Sequence, residues 1–554
     1  MTRHEQSKGR GVQTGSVTGH QLKEMFNAGT AWLEKCVPEI NAINVFPIPD
    51  GDTGTNMLLT MHSAMEEAHR SQDGNASSVA QTIAHGALMG ARGNSGVILS
   101  QFWKGFAKGL KDNQRLSSKA LARALSEASE AAYEGFVNPV EGTMLTVLRD
   151  SANAAEAAAK ANSRNLTKTL ATAMQAARES VANTPNLLPV LREAGVVDAG
   201  GQGLYVLLEG ALHYLRGEND TLKHGKPRLI PTSQPLAPGI TQMPAEVEVP
   251  YGYCMNFLLE GQDLNLKKIK KNLKKKGQSL VVTGNSSRIR VHIHSFKPGE
   301  IIDYATKQGV LHKIKIDNMD DQYAAFIKMQ RKKLPPVDTA IVAVASGEGL
   351  FKLFRSLGTT IIIPGGQTMN PSVRELVEAV DSAPSNKVIL LPNNKNIVVA
   401  ASQVQSLTSK DVKVVPTKTI PQGIGALLSF NYDMDLENNA SAMAEALNRV
   451  KSIEITKAVR KSQINGMNIK KGEFIAVLDD NELVANGKKV KDVITNALEK
   501  ADVKNAELVS IYYGAETKPA EARKIADEIQ NEFSVEVETV QGDQPYYNYI
   551  ISLE

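Results

Sequence analysis

A proline-rich stretch divides the 554-residue chain into two parts with different hydrophobic patterns. Residues 217 to 250 carry six prolines and show little periodicity, which predicts a linker. Before it, residues 20 to 216 are alanine-rich with larger apolar residues at helical spacing. After it come a mixed segment, 251 to 334, and a regular alternation of strands and helices, 338 to 554. We therefore predict an all-α helical N-terminal domain, a small α+β middle domain and an α/β C-terminal domain.

The composition is that of an ordinary water-soluble protein and excludes several classes. The chain is 42% hydrophobic and 22% charged, and its net charge of +4 is too small to indicate nucleic-acid binding. Two cysteines give no disulfide framework and are typical of a reducing compartment. No apolar run is long enough to span a membrane, and the polar N-terminus lacks the apolar core of a signal peptide. We expect a cytoplasmic protein.

The segment NVFPIPDGDTGTNM, residues 44 to 57, places two like charges close together. Asp50 and Asp52 would repel each other unless a hard divalent cation lies between them, and Mg²⁺ prefers such oxygen ligands. A helix begins directly afterwards, and the free N–H groups of a helix N-terminus bind anions. The residues that open this helix are Thr53, Gly54, Thr55 and Asn56. The pattern predicts a site for Mg²⁺ and a nucleotide triphosphate; the alternative is an Asp-Gly turn that caps a helix.

Three more glycine-rich turns precede predicted helices in the same part of the chain. They are GARGNSG (90 to 96), EGT (141 to 143) and VDAGG (197 to 201). Several helix N-termini of this kind could converge on one polyphosphate. The chain contains no Walker A sequence and no dinucleotide fingerprint between a strand and a helix, so we expect neither a P-loop nor a Rossmann enzyme.

These four segments, in this order, resemble the ATP-binding L domain of dihydroxyacetone kinases. The resemblance is closer to the ATP-binding subunit of bacterial fatty acid kinases and extends over nearly the whole chain. The C-terminal region of that kinase subunit is similar to DegV-type fatty-acid-binding proteins. The resemblance implies a barrel of antiparallel helices with ATP and Mg²⁺ in one mouth, a homodimer, and ATP-dependent phosphorylation of a fatty acid.

The resemblance also assigns residues to the site. The family holds Mg²⁺ with three aspartates, of which Asp50 and Asp52 match two, whereas the third falls at Asn44, a neutral amide. The implied phosphate contacts are Thr53, Gly54, Thr55, Asn56, Asn94 and Ser95. The implied nucleotide pocket comprises Gly135, Met144, Asp198, Ala199 and Gly200, with alanine in place of the family's proline. An arginine that the family uses near the phosphates has no clear counterpart, and Arg92 is our candidate for that role.

The implied reaction transfers a phosphoryl group from ATP to a fatty acid carboxylate, which gives an acyl phosphate for phospholipid synthesis. A separate DegV-type fatty-acid-binding protein would present the acid. A carboxylate is already deprotonated at pH 7, so positioning and electrostatics suffice and no general base is needed. Two alternatives stay open: a kinase subunit for a small ketose such as dihydroxyacetone, and a nonenzymatic ATP-binding scaffold or regulator.

Two further features lie outside this site. His292 and His294 alternate on a predicted strand and share one face, and Cys254 lies in another strand. Two imidazoles and a thiolate are suitable Zn²⁺ ligands, but no fourth ligand is evident, so a half-exposed histidine pair and a buried cysteine are the alternative. The C-terminal turn PGGQTMNPS, residues 364 to 372, predicts either an anion site at a helix start or a structural turn.

Overall fold

The structure is a computed structural model. It describes residues 15–45, 51–136, 139–161, 164–231, 253–284, 286–295, 297–318, 337–367, 369–458, 462–464, 467–479 and 482–554. Asp50 therefore lies outside the described residues. No helix in these ranges is both long enough and apolar enough to cross a membrane.

The N-terminal domain is all-helical apart from a short antiparallel pair, β1 (Ser16–Thr18) with β2 (Arg115–Ser117). Its helices are α1 (Gly19–Glu34), α2 (Val37–Ile43), α3 (Thr53–Arg70), α4 (Ala76–Gly90), α5 (Gly93–Gly109), α6 (Ser118–Glu134), α7 (Met144–Ala161), α8 (Leu166–Leu187), α9 (Pro189–Ala194), α10 (Ala199–Arg216) and α11 (Asn219–His224). Helix α11 lies in the stretch predicted as linker. Neighbouring long helices pack side by side, and α10 packs against α1, which closes the ring.

Apolar stripes and small residues hold this ring together. Phe26 on α1 meets Trp103 and Phe106 on α5 edge-to-face, with ring centroids 4.5 and 5.7 Å apart. Such aromatic pairs add stability beyond the area they bury. Helices α1 and α10 approach closely at two glycines: a Cβ on Gly29 would lie 2.7 Å from a backbone oxygen, and one on Gly210 would lie 2.6 Å from a Trp32 side-chain atom. The all-helical prediction for this domain is confirmed.

The middle domain is an antiparallel sheet with two helices. The sheet has the order β4-β5-β3-β6. Its elements are β3 (Tyr253–Glu260), α12 (Leu266–Leu273), β4 (Gln278–Gly284), β5 (Arg288–Ser295), α13 (Pro298–Thr306) and β6 (Val310–Asn318). Apolar residues that alternate along β3 and β5 face both helices and form the core. Lys297, just before α13, reaches Glu34 of α1 at 3.1 Å and so joins this domain to the helical ring.

Among the described residues, the C-terminal domain has two large sheets and a two-stranded antiparallel sheet of Ser462–Ile464 and Met467–Ile469. A parallel sheet of order β10-β9-β7-β8 is followed by a mixed sheet of order β15-β14-β11-β18-β16-β17. The strands are β7 (Thr339–Ala345), β8 (Ile361–Pro364), β9 (Lys387–Leu391), β10 (Asp411–Val414), β11 (Lys451–Lys457), β12 (Ser462–Ile464), β13 (Met467–Ile469), β14 (Phe474–Leu478), β15 (Glu482–Gly487), β16 (Leu508–Tyr513), β17 (Glu536–Gln541) and β18 (Tyr549–Leu553). The helices are α14 (Glu348–Ser356), α15 (Val373–Ser382), α16 (Lys395–Val404), α17 (Ile420–Leu428), α18 (Leu436–Ala446), α19 (Val490–Lys500) and α20 (Pro519–Phe533). The α/β prediction is confirmed.

The parallel sheet of the C-terminal domain lies against the helical ring. Ala91 and Val97, at the start of α5, are fully buried and share one apolar cluster with strands β7, β8 and β9. The backbone N–H of Val373 donates to the carbonyl of Ala91 at 3.2 Å. The two domains therefore meet at the glycine-rich turn GARGNSG, which the sequence marks as part of a phosphate site.

Candidate nucleotide site

The site begins at Asp52, the residue before α3. Its side chain is buried and makes no hydrogen bond that caps the helix. A capping aspartate would accept an N–H group from the first turn of the helix. The Asp-Gly cap considered from the sequence therefore does not account for Asp52. Instead, the side-chain amide of Asn370, from the C-terminal domain, donates to its Oδ2 at 2.7 Å.

Asn41 takes the place that the sequence assigns to phosphate oxygens at the start of α3. Its Oδ1 accepts the backbone N–H groups of Gly54 at 2.7 Å and Thr55 at 3.2 Å, and its Nδ2 donates to the Thr55 hydroxyl at 2.9 Å. A Cβ on Gly54 would lie 2.9 Å from the Val37 carbonyl oxygen. Close packing of α2 thus explains this glycine. Sequence reasoning missed Asn41 because it lies on a different helix, 13 positions upstream of Gly54.

The start of α5 lies beside the start of α3. The Ser95 hydroxyl donates to the Thr53 carbonyl at 3.4 Å. Gly93 has φ +55°, a left-handed conformation, and a Cβ there would lie 2.5 Å from Nδ2 of Asn56, so only glycine fits. The side chain of Arg92, the residue before α5, does not cap this helix. Two helix N-termini with positive partial charge therefore lie next to the buried Asp52 carboxylate.

Arg92 precedes α5 and is directed at the C-terminal domain. Its Nη1 lies 2.8 Å from Glu375 Oε2 and 3.1 Å from the carbonyl oxygen of Asn370. Both side chains of this ion pair are less than 10% exposed. The side-chain amide of Asn94 donates to Asn396 Oδ1 at 3.1 Å. Two residues predicted to contact phosphates therefore also hold the two domains together.

The residues predicted for the nucleotide pocket form a second group. Asp198 caps α10 by accepting the Gly201 N–H at 2.6 Å, and it also accepts the backbone N–H of Met144 at the start of α7. Burial raises the pKa of this carboxyl to about 6, although the two hydrogen bonds lower it. Gly200 lies against Met144, where a Cβ would be 3.2 Å from its Cβ. Asp198 therefore fixes the relative position of the starts of α7 and α10.

The two groups belong to one end of the helical ring. Ala199 is buried in the first turn of α10, and one turn later a Cβ on Gly203 would lie 2.6 Å from Sδ of Met57 on α3. Gly135 ends α6, where a Cβ would lie 2.9 Å from a Gln101 side-chain carbon of α5. The structure thus brings the sequence-predicted residues of α3, α7 and α10 into neighbouring positions.

Comparison with known proteins gives consistent matches along the chain. Residues 47–213 match the DAK2 domain, 250–326 the middle domain of FakA-like fatty acid kinase proteins, and 340–554 the C-terminal domain of the same proteins. Uncharacterized proteins of Staphylococcus aureus strains USA300 and NCTC 8325 are 36% identical over 550 residues, which cover 97% of this chain and 99% of theirs. The chain belongs to the FakA-like fatty acid kinase family.

Solved structures show partial likeness to this family member. A fatty-acid-binding DegV family protein from Thermus thermophilus is 12% identical, with a TM-score of 0.30 over 39% of this chain and 100% of that one. The dihydroxyacetone kinase of C. freundii in complex with AMP-PNP and Mg²⁺ is 22% identical, with a TM-score of 0.28 over 38% of this chain and 37% of that one.

Two of the three predicted Mg²⁺ ligands, Asn44 and Asp52, lie within the described residues. Asn44 ends α2, is buried, and its backbone N–H donates to the Asn41 carbonyl at 3.2 Å. Asp50 lies outside the described residues. Within the described ranges, no group of three or more His, Cys, Asp or Glu side chains could hold a metal. The Asp52 carboxylate is buried, does not cap α3 and lies beside two helix N-termini. This arrangement suits a hydrated Mg²⁺ that carries phosphate oxygens.

The predicted zinc residues lie on adjacent strands of the middle domain. Strands β3 and β5 are antiparallel, with Cys254 opposite His294 and Asn256 opposite His292. Their side chains lie outside what the structure describes, and zinc stays a prediction.

Proposed function

We propose that this chain binds Mg²⁺ and ATP at the adjoining starts of α3 and α5 and phosphorylates a fatty acid carboxylate held by a separate fatty-acid-binding protein. Its membership of the FakA-like fatty acid kinase family supports the reaction class. The observation that carries the location is the buried Asp52 carboxylate, which does not cap α3 and lies beside two helix N-termini.

The structure and the family together suggest roles for several residues of the site. Asp52, with Asp50 and Asn44, would hold Mg²⁺, which neutralises charge on the phosphate oxygens. Ser95 and the first turn of α5 would contact the phosphates, while the N–H groups of Gly54 and Thr55 stay with Asn41. The pocket of Gly135, Met144, Asp198, Ala199 and Gly200 would receive the rest of the nucleotide.

The chemistry needs no base from the protein. A carboxylate oxygen of the fatty acid forms a bond to the γ-phosphorus, and the bond between that phosphorus and the β,γ-bridging oxygen breaks. ADP leaves with the bond's electron pair, and the acyl phosphate keeps the transferred group. Because the acid is already ionised at pH 7, alignment and charge neutralisation supply the rate.

The small cavity inside the C-terminal domain favours a separate protein as the acyl carrier. The cavity between the two large sheets of this domain, lined by Gly366, Asn393, Gln544 and Tyr547 among others, has a volume of about 40 Å³. One water molecule needs roughly 10–15 Å³ of such space, so the cavity has room for only a few waters. A long acyl chain does not fit in this cavity, so we assign the substrate to a partner protein.

The experiment measures ADP release from ATP, Mg²⁺ and oleate bound to a DegV-type fatty-acid-binding protein. We expect partner-dependent turnover that falls by roughly two orders of magnitude or more in Asp52→Ala and Asp50→Ala. Asp220→Ala, an exposed aspartate of α11, is the matched control and should keep wild-type turnover. Turnover with dihydroxyacetone and none with oleate would favour the ketose kinase. ATP binding without turnover on either substrate would favour the scaffold.

A further inference from the structure

Asn370 links the C-terminal domain to the carboxylate at the centre of the candidate site. It lies in the loop between β8 and α15, is 3% exposed, and donates from Nδ2 to Asp52 Oδ2 at 2.7 Å. The orientation of this amide follows from its partner, because an ionised carboxylate can only accept. The C-terminal domain therefore touches a proposed Mg²⁺ ligand directly.

The backbone of Asn370 is held in place from two sides. Its carbonyl accepts from Arg92 Nη1 at 3.1 Å, and the same guanidinium nitrogen lies 2.8 Å from Glu375 Oε2. That oxygen also accepts the backbone N–H of Ser372 at 2.6 Å and its hydroxyl at 2.7 Å. The Ser372 hydroxyl in turn accepts the backbone N–H of Glu375 at 3.2 Å, which completes the capping box of α15. A continuous set of buried polar contacts thus runs from the start of α15 through Arg92 to Asn370.

Asn370 also carries an acceptor that lacks a partner in the described parts of the chain. Its Oδ1 is buried and accepts no hydrogen bond from the described residues. A buried acceptor left unpaired is destabilising, and most such atoms in folded proteins have a partner. A water molecule bound to a cation beside Asp52 would supply the missing donor. This orphaned oxygen is a second sign that the surroundings of Asp52 are built for a hydrated ion.

We propose that Asn370 is a positioning residue of the Mg²⁺–ATP site and acts through Asp52. The proposal rests on the proposed function, since it assumes that Asp52 binds Mg²⁺. Carboxylates that bind metals are themselves hydrogen-bonded by outer partners, and loss of such a partner weakens metal binding by roughly 10- to 100-fold. A carboxylate accepts at about four positions, so the hydrogen bond from Asn370 does not exclude a metal from Asp52. Docking of the C-terminal domain thereby completes the site.

In the alternative interpretation, the same contacts block the nucleotide site, and the C-terminal domain acts as a plug. If the C-terminal domain only covered the site, breaking the Asn370–Asp52 bond would release Asp52 and tighten nucleotide binding. A positioning residue gives the reverse sign, because its loss leaves Asp52 misdirected. The two ideas therefore differ in the direction in which Mg²⁺ affinity changes.

The test titrates Mg²⁺ into the full-length chain with AMP-PNP and measures nucleotide binding by calorimetry. We expect Asn370→Ala to weaken the affinity for Mg²⁺ in the presence of AMP-PNP by roughly 10- to 100-fold. Nucleotide binding in excess EDTA should stay unchanged. Asn370→Leu keeps the side-chain volume without the donor and should behave alike, which guards against a fold lost in the alanine variant. The matched control is Asn439→Ala, another buried asparagine of the C-terminal domain, which bonds Asn431 and Met434. It should bind Mg²⁺ like the wild type.

Each other outcome overturns one of the two ideas or both. Wild-type Mg²⁺ dependence in both Asn370 variants would overturn the positioning role and leave the proposed function intact. Tighter Mg²⁺–AMP-PNP binding in the variants would show a plug instead. A wild-type protein that binds no nucleotide with Mg²⁺ would overturn the proposed function and this inference together.

Discussion

The guanidinium of Arg92 and the carboxylate of Glu375 form a buried ion pair, 2.8 Å apart, between the helical ring and the C-terminal domain. Burial of both charges is unfavourable unless each keeps its partner. Here the two charges pair with each other and have further hydrogen bonds. Arg92 also donates to the Asn370 carbonyl, and Glu375 also accepts from Ser372. Domain contact and site geometry therefore depend on the same few atoms.

We predict that Glu375→Ala destabilises the protein strongly. The variant leaves the Arg92 charge buried without its carboxylate and removes the capping box of α15, at a cost of about 3–5 kcal/mol. The measurement is urea unfolding of the full chain, followed by circular dichroism. Glu156→Ala breaks an exposed pair with Lys160 in α7 and should change the free energy of unfolding by less than about 1 kcal/mol. Equal effects of the two substitutions would contradict this assignment.

A second prediction concerns Asp198 and the pH dependence of stability. Burial raises its pKa from 3.8 to about 6, so the native state favours the protonated form. Its contribution to stability is therefore fully present below about pH 4 and is lost as pH rises through 6. The loss amounts to about 3 kcal/mol, because each pKa unit corresponds to about 1.4 kcal/mol.

The measurement for Asp198 compares unfolding free energies of the wild type and Asp198→Asn from pH 4 to pH 8. The asparagine cannot ionise, so the difference between the two proteins should change with pH in the window from 4 to 6 and stay constant above about 7. A difference that is independent of pH would mean that Asp198 titrates normally in the folded protein.

A third prediction concerns Glu209, a buried carboxylate between α1 and α10. Trp32 Nε1 donates to its Oε2 and the Tyr205 hydroxyl donates to its Oε1, each at 2.7 Å. Glu209→Ala leaves two buried donors without an acceptor, which costs about 1–3 kcal/mol for each. We expect a lower midpoint in thermal unfolding and a red-shifted Trp32 emission, measured in a Trp103→Phe background since the chain has two tryptophans. An unchanged midpoint would show that water replaces the carboxylate.

Local patterns in the sequence are sufficient to predict the domain architecture, but they predict only part of the site. Alanine-rich helical spacing predicts the N-terminal ring, and the alternation after residue 338 predicts the α/β domain, because both signals are periodic and local. Asp52 is also recognisable, since its neighbours in sequence are unusual. Its partner Asn370 is 318 positions away, and nothing in the turn PGGQTMNPS indicates which surface it contacts. Tertiary docking decides that contact, and the same holds for Asn41 and Glu375.

The last prediction concerns the closure of the helical ring at Gly29. A Cβ on this residue would lie 2.7 Å from the carbonyl oxygen of Leu207, a backbone atom of α10 that cannot move aside alone. Gly29→Ala must therefore separate α1 from α10, and overpacking of this kind costs typically 1–3 kcal/mol, more than the roughly 1 kcal/mol that alanine gains over glycine in a helix. The control is Gly299→Ala in α13, where a Cβ meets nothing within 4 Å. Urea unfolding should show Gly29→Ala destabilised and Gly299→Ala close to the wild type; a stabilised Gly29→Ala would mean that the two helices separate without loss of packing.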